Sequence, residues 1–234
     1  MLPVAILTGG LATRLRPLTD SLPKALVPVA GRPFLLHQLD YLYAQGISRV
    51  VLCTGYRASQ IKAVVGDGSD WGVEVSYSED GDTLLGTGGA IVKALPLLGP
   101  AFFVLYGDSF LPVGFDQVES RWRQSHLPAL MTVFRNAGQW DTSNVLFDDS
   151  KVVEYNKRVP RPEMHYIDYG LGVLSAELFM DHRAAGPFDL ADLYHELSLV
   201  GKLAGLEVFE RFYEIGSPQG LVQAEAYFSR AHSQ

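Results

Sequence analysis

The most constraining feature of this 234-residue chain is a short apolar run at its start that ends in two glycines. Residues 3–7 (PVAIL) form the run, and Gly9 and Gly10 follow it. A short apolar run bounded by glycine is typical of a buried strand in a largely parallel sheet. The next fifteen residues contain three cations: Arg14, Arg16 and Lys24. Glycines after a first strand, backed by cations, indicate either a structural turn or a phosphate site at the carboxyl end of the sheet.

Apolar runs and amphipathic stretches alternate after this loop, and their order predicts an α/β fold. Strands are predicted at residues 49–53, 73–77, 101–106, 129–134 and 166–173, with a hairpin over 141–157. Helices are predicted at residues 34–45 (ended by Gly46), 58–65, 85–95 (ended by Pro96), 115–126, 189–199 and 218–231. The initial β-α-β-α-β order favours parallel strands with right-handed crossovers. We therefore expect a Rossmann-like three-layer α/β/α sandwich with a mixed, mainly parallel sheet, in a single domain over residues 1–234.

Composition excludes several classes of protein. The formal net charge of −7 disfavours a general nucleic-acid binder or a protein that binds anionic membranes. No apolar run reaches 18 residues and the N-terminus lacks a basic region, so neither a membrane span nor a secretion signal is expected. The single cysteine, Cys53, lies in an apolar run and is expected to be a buried thiol. These features favour a cytoplasmic enzyme.

The glycine loop fits neither G-x-G-x-x-G nor the P-loop pattern, but its wider surroundings are specific. They read GGLATRLRPLT at 9–19, PKALVPV at 23–29 and GRP at 31–33. This pattern resembles the first block of the sugar-phosphate nucleotidylyltransferases, with Ala12 in place of the family's third glycine. Later segments that resemble the same family are LGTGGA at 85–90, GD at 107–108, YIDYGLGV at 166–173 and YEIGSP at 213–218. The resemblance covers nearly the whole chain.

The resemblance implies a reaction between a nucleoside triphosphate and a sugar 1-phosphate. An oxygen of the sugar phosphate attacks the α-phosphorus and pyrophosphate leaves, so positioning and charge neutralisation carry the catalysis. Arg14 would hold the β- and γ-phosphates, and Lys24 would lie between the α-phosphate and the sugar phosphate; these two are the predicted catalytic residues. The cofactor would be Mg²⁺, held by Asp108 and Glu214.

The resemblance also implies two groups of binding residues. The nucleotide-binding residues are Leu7, Gly9, Gly10, Arg14, Lys24, Gly86, Thr87 and Gly88. The sugar-phosphate-binding residues are Asp108, Asn144, Asn156, Lys157, Asp168, Tyr169 and Gly170, most of them in a small β lobe at about residues 136–175. Asn156 departs from the family, which often has glutamate there. Simpler interpretations stay open: a turn or helix cap for Asp108, a solvated side chain for Lys157 and a strand end for Asp168.

The features of the chain are most similar to those of short bacterial guanylyltransferases. They favour GTP with D-glycero-D-manno-heptose 1-phosphate or mannose 1-phosphate, for cell-surface polysaccharide synthesis. Uridylyl or thymidylyl transfer to another sugar 1-phosphate, such as N-acetylmuramic acid 1-phosphate or glucose 1-phosphate, is an alternative, because short uridylyltransferases share these features. A non-catalytic nucleotide-sugar-sensing subunit is a third hypothesis, but it would be expected to lose some of the reactive side chains. Trp140 and the aromatic-rich tail leave a homodimer open.

Overall fold

The computed structural model describes residues 1–10, 15, 18–81, 83–180 and 186–231. Arg14, the predicted phosphate ligand, lies outside the described residues, as do Ala12 and Arg16. The α-helices in the described ranges are α1 (Phe34–Ala44), α2 (Ala58–Val65), α3 (Gly86–Leu98), α4 (Phe115–Ser125), α5 (Leu190–Leu199) and α6 (Pro218–Ala231). None of these helices combines the length and the apolar character needed to span a bilayer.

The strands of the described ranges form one large sheet and two small ones. They are β1 (Val4–Leu7), β2 (Pro28–Val29), β3 (Arg32–Pro33), β4 (Arg49–Thr54), β5 (Glu74–Glu79), β6 (Ala101–Tyr106), β7 (Ser109–Phe110), β8 (Ala129–Arg135), β9 (Val145–Asp148), β10 (Lys151–Tyr155), β11 (Tyr166–Ser175), β12 (Leu203–Val208) and β13 (Tyr213–Glu214). The large sheet has the order β5-β4-β1-β6-β11-β8-β12-β10-β9. The small sheets are the pairs β2–β3 and β7–β13.

The direction of the strands confirms the mixed, mainly parallel sheet. Neighbours β5, β4, β1 and β6 run parallel to one another. β11 runs antiparallel between β6 and β8, and β12 is parallel to β8. The carboxyl ends of β5, β4, β1 and β6 therefore meet along one edge, where a mainly parallel sheet binds its ligands.

Two apolar cores lie on opposite faces of the large sheet, which gives the predicted three layers. One core contains residues of α1, α2 and α4, such as Leu39, Ile61 and Phe115. The other contains residues of α3 and α5, such as Ile91 and Leu197. Burial of these helix faces is what fixes the helices on the sheet, because helix propensity alone contributes little.

The last helix packs beside the segment that carries Lys24. Phe228 of α6 contacts Phe34 and Phe110 in a third apolar cluster. The short strand β13 pairs antiparallel with β7, and this register sets Glu214 opposite Ser109. The C-terminal segment is thereby brought next to Asp108, which lies about a hundred residues earlier in the chain.

The predicted hairpin is present as β9 and β10, at the far end of the large sheet. It is paired to β11 through Tyr166 and Val145, and to β12 through Lys151 and Ala204. The open end of this hairpin, flanked by Asn144 and Asn156, forms with the first half of β11 the region in which the sugar lobe was expected.

Two of the longer elements differ from the sequence expectation, and the short strands β2, β3, β7 and β13 were not predicted. Helix α3 continues to Leu98, past Pro96, because proline in the last turn disturbs little of a helix that ends at Gly99. Strand β12 was not predicted. Its sequence, LAGLEV, has a glycine at position 205 and only weak alternation, and the strand depends on its pairing with β8.

Candidate active site

A cleft of about 360 Å³ opens at the carboxyl ends of β1, β4 and β6. Six of the predicted nucleotide-binding residues line it: Leu7, Gly9, Gly10, Lys24, Gly86 and Thr87. Asp108, which was predicted to bind metal and sugar phosphate, also lines the cleft. The fold thus gathers segments that are far apart in sequence at the edge where α/β sheets bind ligands.

The start of the glycine loop, directly after β1, is held onto the neighbouring strands by hydrogen bonds. The backbone N–H and the side-chain hydroxyl of Thr8 both donate to the carbonyl oxygen of Cys53, each at 2.9 Å. The N–H of Gly107 donates to the carbonyl oxygen of Leu7 at 3.0 Å. A Cβ at Gly107 would lie 2.6 Å from Cγ2 of Thr8, so glycine is what lets the end of β6 approach this loop. Thr8, the residue before the two glycines, is therefore fixed between the ends of β4 and β6.

Lys24 and Asp108 form an ion pair on the cleft. The distance between Nζ of Lys24 and Oδ2 of Asp108 is 2.5 Å. The other carboxylate oxygen of Asp108 accepts a hydrogen bond from the Ser109 hydroxyl at 3.1 Å. Lys24 is the more enclosed partner, with 15% of its side chain exposed against 35% for Asp108. The pair thus keeps one cation and one carboxylate together, within reach of a bound phosphate group.

Glu214, the second predicted metal ligand, lies behind the cleft wall. Its Oε1 atom accepts a hydrogen bond from the Ser217 hydroxyl at 2.5 Å, and its Oε2 atom accepts one from the N–H of Gly216. Ser217 in turn accepts from the N–H of Gly220 at 3.0 Å, which makes it the predicted N-cap of α6. Gly216 itself lines the cleft. The carboxylate of Glu214 is therefore engaged in hydrogen bonds within its own turn, two positions before the cleft residue Gly216.

The oxygen donors at this end of the cleft fit a divalent cation. Within the described ranges, no group of three or more His, Cys, Asp or Glu side chains is arranged to hold a metal. Mg²⁺ needs only one or two carboxylates, because phosphate oxygens and water complete its shell. Asp108 is the carboxylate on the cleft surface that meets this requirement.

The start of α3 is less open than its glycines suggest. The Thr87 hydroxyl donates to Oδ1 of Asp189 at 2.7 Å and accepts from the N–H of Leu190 at 2.8 Å, which ties α3 to the start of α5. The N–H of Gly88 donates to the carbonyl oxygen of Phe188 at 3.0 Å. Gly88 also packs directly against the Phe188 ring. The backbone of Gly88 is thus directed to Phe188 and away from the cleft, unlike Gly86 and Thr87.

Four of the predicted sugar-site residues are connected by hydrogen bonds. The N–H of Asp168 donates to the side-chain oxygen of Asn144 at 3.2 Å. The N–H of Asn156 donates to the carbonyl oxygen of Asn144 at 2.8 Å. Gly170, with φ of +103°, donates its N–H to Oδ1 of Asp168 at 2.9 Å. The hairpin and β11 are thus joined at the position where the sugar was expected.

Asp168 occupies an environment that disfavours its charge. Burial raises the pKa of Asp168 to about 6, although the N–H of Gly170 and the charge of exposed Lys157 act in the opposite direction. The pKa of Tyr106 is also raised, first by burial and then by the charge of Asp168. Tyr106 lines the cleft, and a Cβ at Gly170 would lie 3.7 Å from its ring, so the Asp168–Gly170 turn lies on this side of the cleft.

Tyr169 is placed differently from the prediction. Its side chain is 3% exposed and packs against Phe134 and Phe212, with ring centroids 6.1 Å apart in each pair. Successive side chains of a strand point to opposite faces, so Tyr169 and Asp168 cannot both face the sugar. The Tyr169 side chain belongs to the core on the α1, α2 and α4 face.

Asp80 and Tyr106 are among the cleft residues that were not singled out from the sequence. Asp80 follows β5 directly, and Tyr106 is the last residue of β6. Both line the cleft. The sequence does indicate Asp80 as a site residue, because it is a carboxylate at the carboxyl end of a parallel strand, which is the pattern that indicated Asp108.

Comparison with known proteins gives matches over nearly the full length of the chain. N-acetylmuramate alpha-1-phosphate uridylyltransferase from Caulobacter vibrioides is 30% identical over 236 residues, covering 97% of this chain and 96% of that protein. D-glycero-alpha-D-manno-heptose 1-phosphate guanylyltransferase from Campylobacter jejuni is 28% identical over 214 residues, covering 92% and 94%. Glucose-1-phosphate thymidylyltransferase from Streptomyces antibioticus is 34% identical over 161 residues, which are 68% of this chain but only 45% of that longer protein.

The fold and the sequence family agree. The crystal structure of HddC from Yersinia pseudotuberculosis superposes with a TM-score of 0.82 at 24% identity, covering 97% of this chain and all of that one, so the two share a fold. The family model described as "Nucleotidyl transferase" matches residues 4–142. Together with the full-length relatives, this match confirms the resemblance seen in the glycine loop and the later motifs. The chain belongs to the nucleotidyl transferase family and is a sugar-1-phosphate nucleotidylyltransferase.

Proposed function

We propose that this enzyme transfers a guanylyl group from GTP to a manno-configured sugar 1-phosphate, with release of pyrophosphate. The observation that carries the proposal is the Lys24–Asp108 pair, which lies on the cleft between the glycine loop and the side occupied by Asp168. This arrangement supplies one cation and one carboxylate to a site that must hold two phosphorylated substrates. D-glycero-D-manno-heptose 1-phosphate and mannose 1-phosphate are the sugar phosphates proposed.

Lys24 neutralises charge at the reacting phosphates. In the reaction, negative charge spreads over the α-phosphate while the sugar phosphate approaches it, and a fixed cation between them lowers the barrier. Lys24 starts a short 3₁₀ turn and most of its side chain is enclosed, so its ammonium is positioned before the substrates bind. We assign to Arg14 the β- and γ-phosphates, as the family pattern implies.

Asp108 would hold the divalent ion, which we propose is Mg²⁺. When bound, the ion shields the phosphates from each other and withdraws charge from the leaving pyrophosphate. Asp108 could bind the ion without a large rearrangement, because it already lines the cleft. Glu214 is the second proposed ligand, and it would have to exchange its hydrogen bonds to Ser217 and Gly216 for the ion.

The sugar side of the site is proposed around Asp168. Its carboxylate accepts from Gly170 and lies near Tyr106, and such a group can accept hydrogen bonds from sugar hydroxyls. Lys157, exposed and close enough to influence Asp168 electrostatically, is proposed to contact the sugar phosphate. We assign Asn144 and Asn156 to support this side, because they are joined to each other and to Asp168 by hydrogen bonds at the open end of the hairpin.

A second candidate is uridylyl transfer to N-acetylmuramic acid 1-phosphate. It is favoured by the similarity to the Caulobacter enzyme, which has slightly higher identity than the Campylobacter guanylyltransferase. We place guanylyl transfer first because the base end of the cleft carries a carboxylate, Asp80, in addition to backbone groups. A non-catalytic sensing subunit is disfavoured, since Lys24 and Asp108 are both retained and paired on the cleft.

The test is pyrophosphate release with Mg²⁺, with each of GTP, UTP, dTTP and CTP against a panel of sugar 1-phosphates. The panel contains mannose, D-glycero-D-manno-heptose, glucose and N-acetylmuramic acid 1-phosphates. Release with GTP and a manno-configured sugar is the expected result. Release with UTP and N-acetylmuramic acid 1-phosphate would replace the first candidate by the second. Binding of a nucleotide without any release would favour the sensing subunit.

A further inference from the structure

The cleft has a second carboxylate at the end opposite the Lys24–Asp108 pair. Asp80 follows β5, whereas Asp108 follows β6, and the sheet order β5-β4-β1-β6 separates these strands by three spacings. Neighbouring strands lie about 4.8 Å apart, so the two strand ends are roughly 14 Å from each other. A nucleotide with its phosphates at Lys24 would therefore extend its base toward Asp80.

The walls near Asp80 suit a flat, mainly apolar group. Leu84, Leu7, Ala90 and Cys53 line this part of the cleft, and they carry no charge. The Cys53 thiol is buried, and its pKa is raised to about 12, first by burial and then by the charge of Asp80. Cys53 is therefore an uncharged wall group rather than a nucleophile.

The Asp80 carboxylate has spare capacity to accept hydrogen bonds. Its Oδ2 atom accepts only a long bond from the N–H of Leu85, at 3.3 Å. Within the described ranges, no group donates to its Oδ1 atom. The backbone beside it is bare: a Cβ at Gly9 or at Gly55 would lie 3.5 Å or 3.3 Å from Oδ2. Burial raises the pKa of Asp80, so a partner that donates to both oxygens would recover free energy lost on desolvation.

The bases differ in what they present to a carboxylate. Guanine offers two adjacent donors, N1–H and the 2-amino group, which match the two oxygens of an ionised carboxylate. Uracil and thymine present one N–H between two carbonyl oxygens, and those oxygens would face the carboxylate with like polarity. Adenine and cytosine present an amino group beside a ring nitrogen that accepts. Only guanine pairs both carboxylate oxygens with donors from one edge.

We propose that Asp80 is the specificity-determining residue that selects guanine, by accepting hydrogen bonds from N1–H and the 2-amino group of the nucleotide. The inference rests on the proposed nucleotidylyl transfer and names the base that the same cleft takes. Gly9, Gly10 and Leu84 would enclose the base, and Asp80 would accept hydrogen bonds from its edge. A site built to pair donors discriminates strongly against an analogue that lacks one of them.

The experiment compares GTP with ITP, whose base lacks only the 2-amino group. The wild-type enzyme should have kcat/KM for GTP about 10-fold or more above that for ITP, the effect of one hydrogen bond to a charged group. In Asp80→Asn and Asp80→Ala this ratio should fall toward one. Glu79→Gln, which removes the exposed neighbouring carboxylate, is the matched control and should keep the ratio. Thermal unfolding of each variant checks that it is folded.

Two results would overturn the assignment of Asp80. One is a wild-type enzyme that prefers UTP or dTTP, and the other is an Asp80 variant that discriminates GTP from ITP as well as the wild type does. If no nucleotide and sugar phosphate react, the proposed function fails, and calorimetric binding of GDP, IDP and UDP then decides the role of Asp80 by itself. Tighter binding of GDP than of IDP, lost in Asp80→Ala, would support it; equal binding of the three would refute it.

Discussion

Nζ of Lys24 lies 2.5 Å from Oδ2 of Asp108, so the two charges assigned to the reacting phosphates and to the metal neutralise each other in the ligand-free protein. The residues are 84 positions apart in sequence, and the pair forms because the end of β6 reaches the turn that begins at Lys24. A phosphate oxygen and a divalent cation arriving together would satisfy both partners. Binding of the phosphate and the cation would therefore replace the ion pair between Lys24 and Asp108. The role of each residue can be tested by its own substitution.

Lys24→Met should lower kcat for pyrophosphate release by about 10²- to 10³-fold, because it removes a fixed charge aimed at the transition state. The variant should stay folded, since the partner left behind, Asp108, is 35% exposed and can be solvated. Stopped assays with saturating nucleotide measure the effect. Lys202→Met is the control and should keep normal turnover. Lys202 is exposed and precedes β12, at the end of the strands opposite the cleft. Normal turnover in Lys24→Met would contradict the role given to Lys24.

Asp108→Asn should raise the concentration of Mg²⁺ needed for half-maximal pyrophosphate release, because an amide oxygen is a weaker ligand for a hard cation than a carboxylate. We expect at least about a 10-fold increase, together with a lower maximal rate. The measurement is a titration of the rate with Mg²⁺ at fixed substrates. Asp148→Asn, an exposed carboxylate at the end of β9, should leave the titration unchanged. An unaltered requirement in Asp108→Asn would place the metal elsewhere.

Much of the fold could be predicted from local patterns, whereas the contacts within the site could not. Helix α2 begins and ends at the predicted residues. Helix α1 ends shortly before Gly46, whose φ of +77° is the left-handed conformation expected of a glycine that ends a helix. Strand β12 was missed because its place in the sheet depends on β8 and on Gly205, which lets the ring of Phe147 pack against it. Local sequence carries little information on such pairing.

In the candidate site, too, the residue types could be predicted from the sequence, whereas their contacts could not. Lys24 and Asp108 were both expected near phosphates, but their ion pair depends on a long-range approach that no motif encodes. Tyr169 was assigned to the sugar site from its motif, yet strand alternation directs it to the aromatic cluster with Phe134 and Phe212. Asp80 was not singled out, although it follows a parallel strand as Asp108 does.

Ser217→Ala should lower the free energy of unfolding by about 1 kcal/mol, the usual effect of losing an N-cap. Ser217 accepts from the N–H of Gly220 and donates to Glu214, so its removal leaves both partners to water. Urea unfolding of the two proteins measures the difference. Ser120→Ala, on the exposed side of α4, is the control and should change stability by much less. Equal stability of Ser217→Ala and wild type would mean that the turn is held by the N–H of Gly216 alone.

Asp168→Asn should make the protein more stable near neutral pH. The folded protein raises the pKa of this carboxyl from 3.8 to about 6, so between these values the native state binds more protons than the unfolded state. Stability therefore falls as pH rises through this range, and the full cost is present above pH 6. The asparagine has no charge to desolvate and can still accept from Gly170, so we expect a gain on the order of 1 kcal/mol at pH 7.

The measurement is the unfolding free energy of wild type and Asp168→Asn at several values between pH 4 and pH 8. The two curves should approach each other toward pH 4, where the wild-type carboxyl is protonated in the native state and partly protonated in the unfolded state, and separate as pH rises. Asp148→Asn should show no such separation. If Asp168 also binds the sugar, the stabilised variant will have a higher KM for the sugar phosphate, because an amide cannot accept hydroxyl groups on both of its heavy atoms. Greater stability with weaker substrate binding would identify Asp168 as a group whose unfavourable burial is retained for function. Lower stability of Asp168→Asn at pH 7 would show instead that the charge of Lys157 outweighs the burial of the carboxyl.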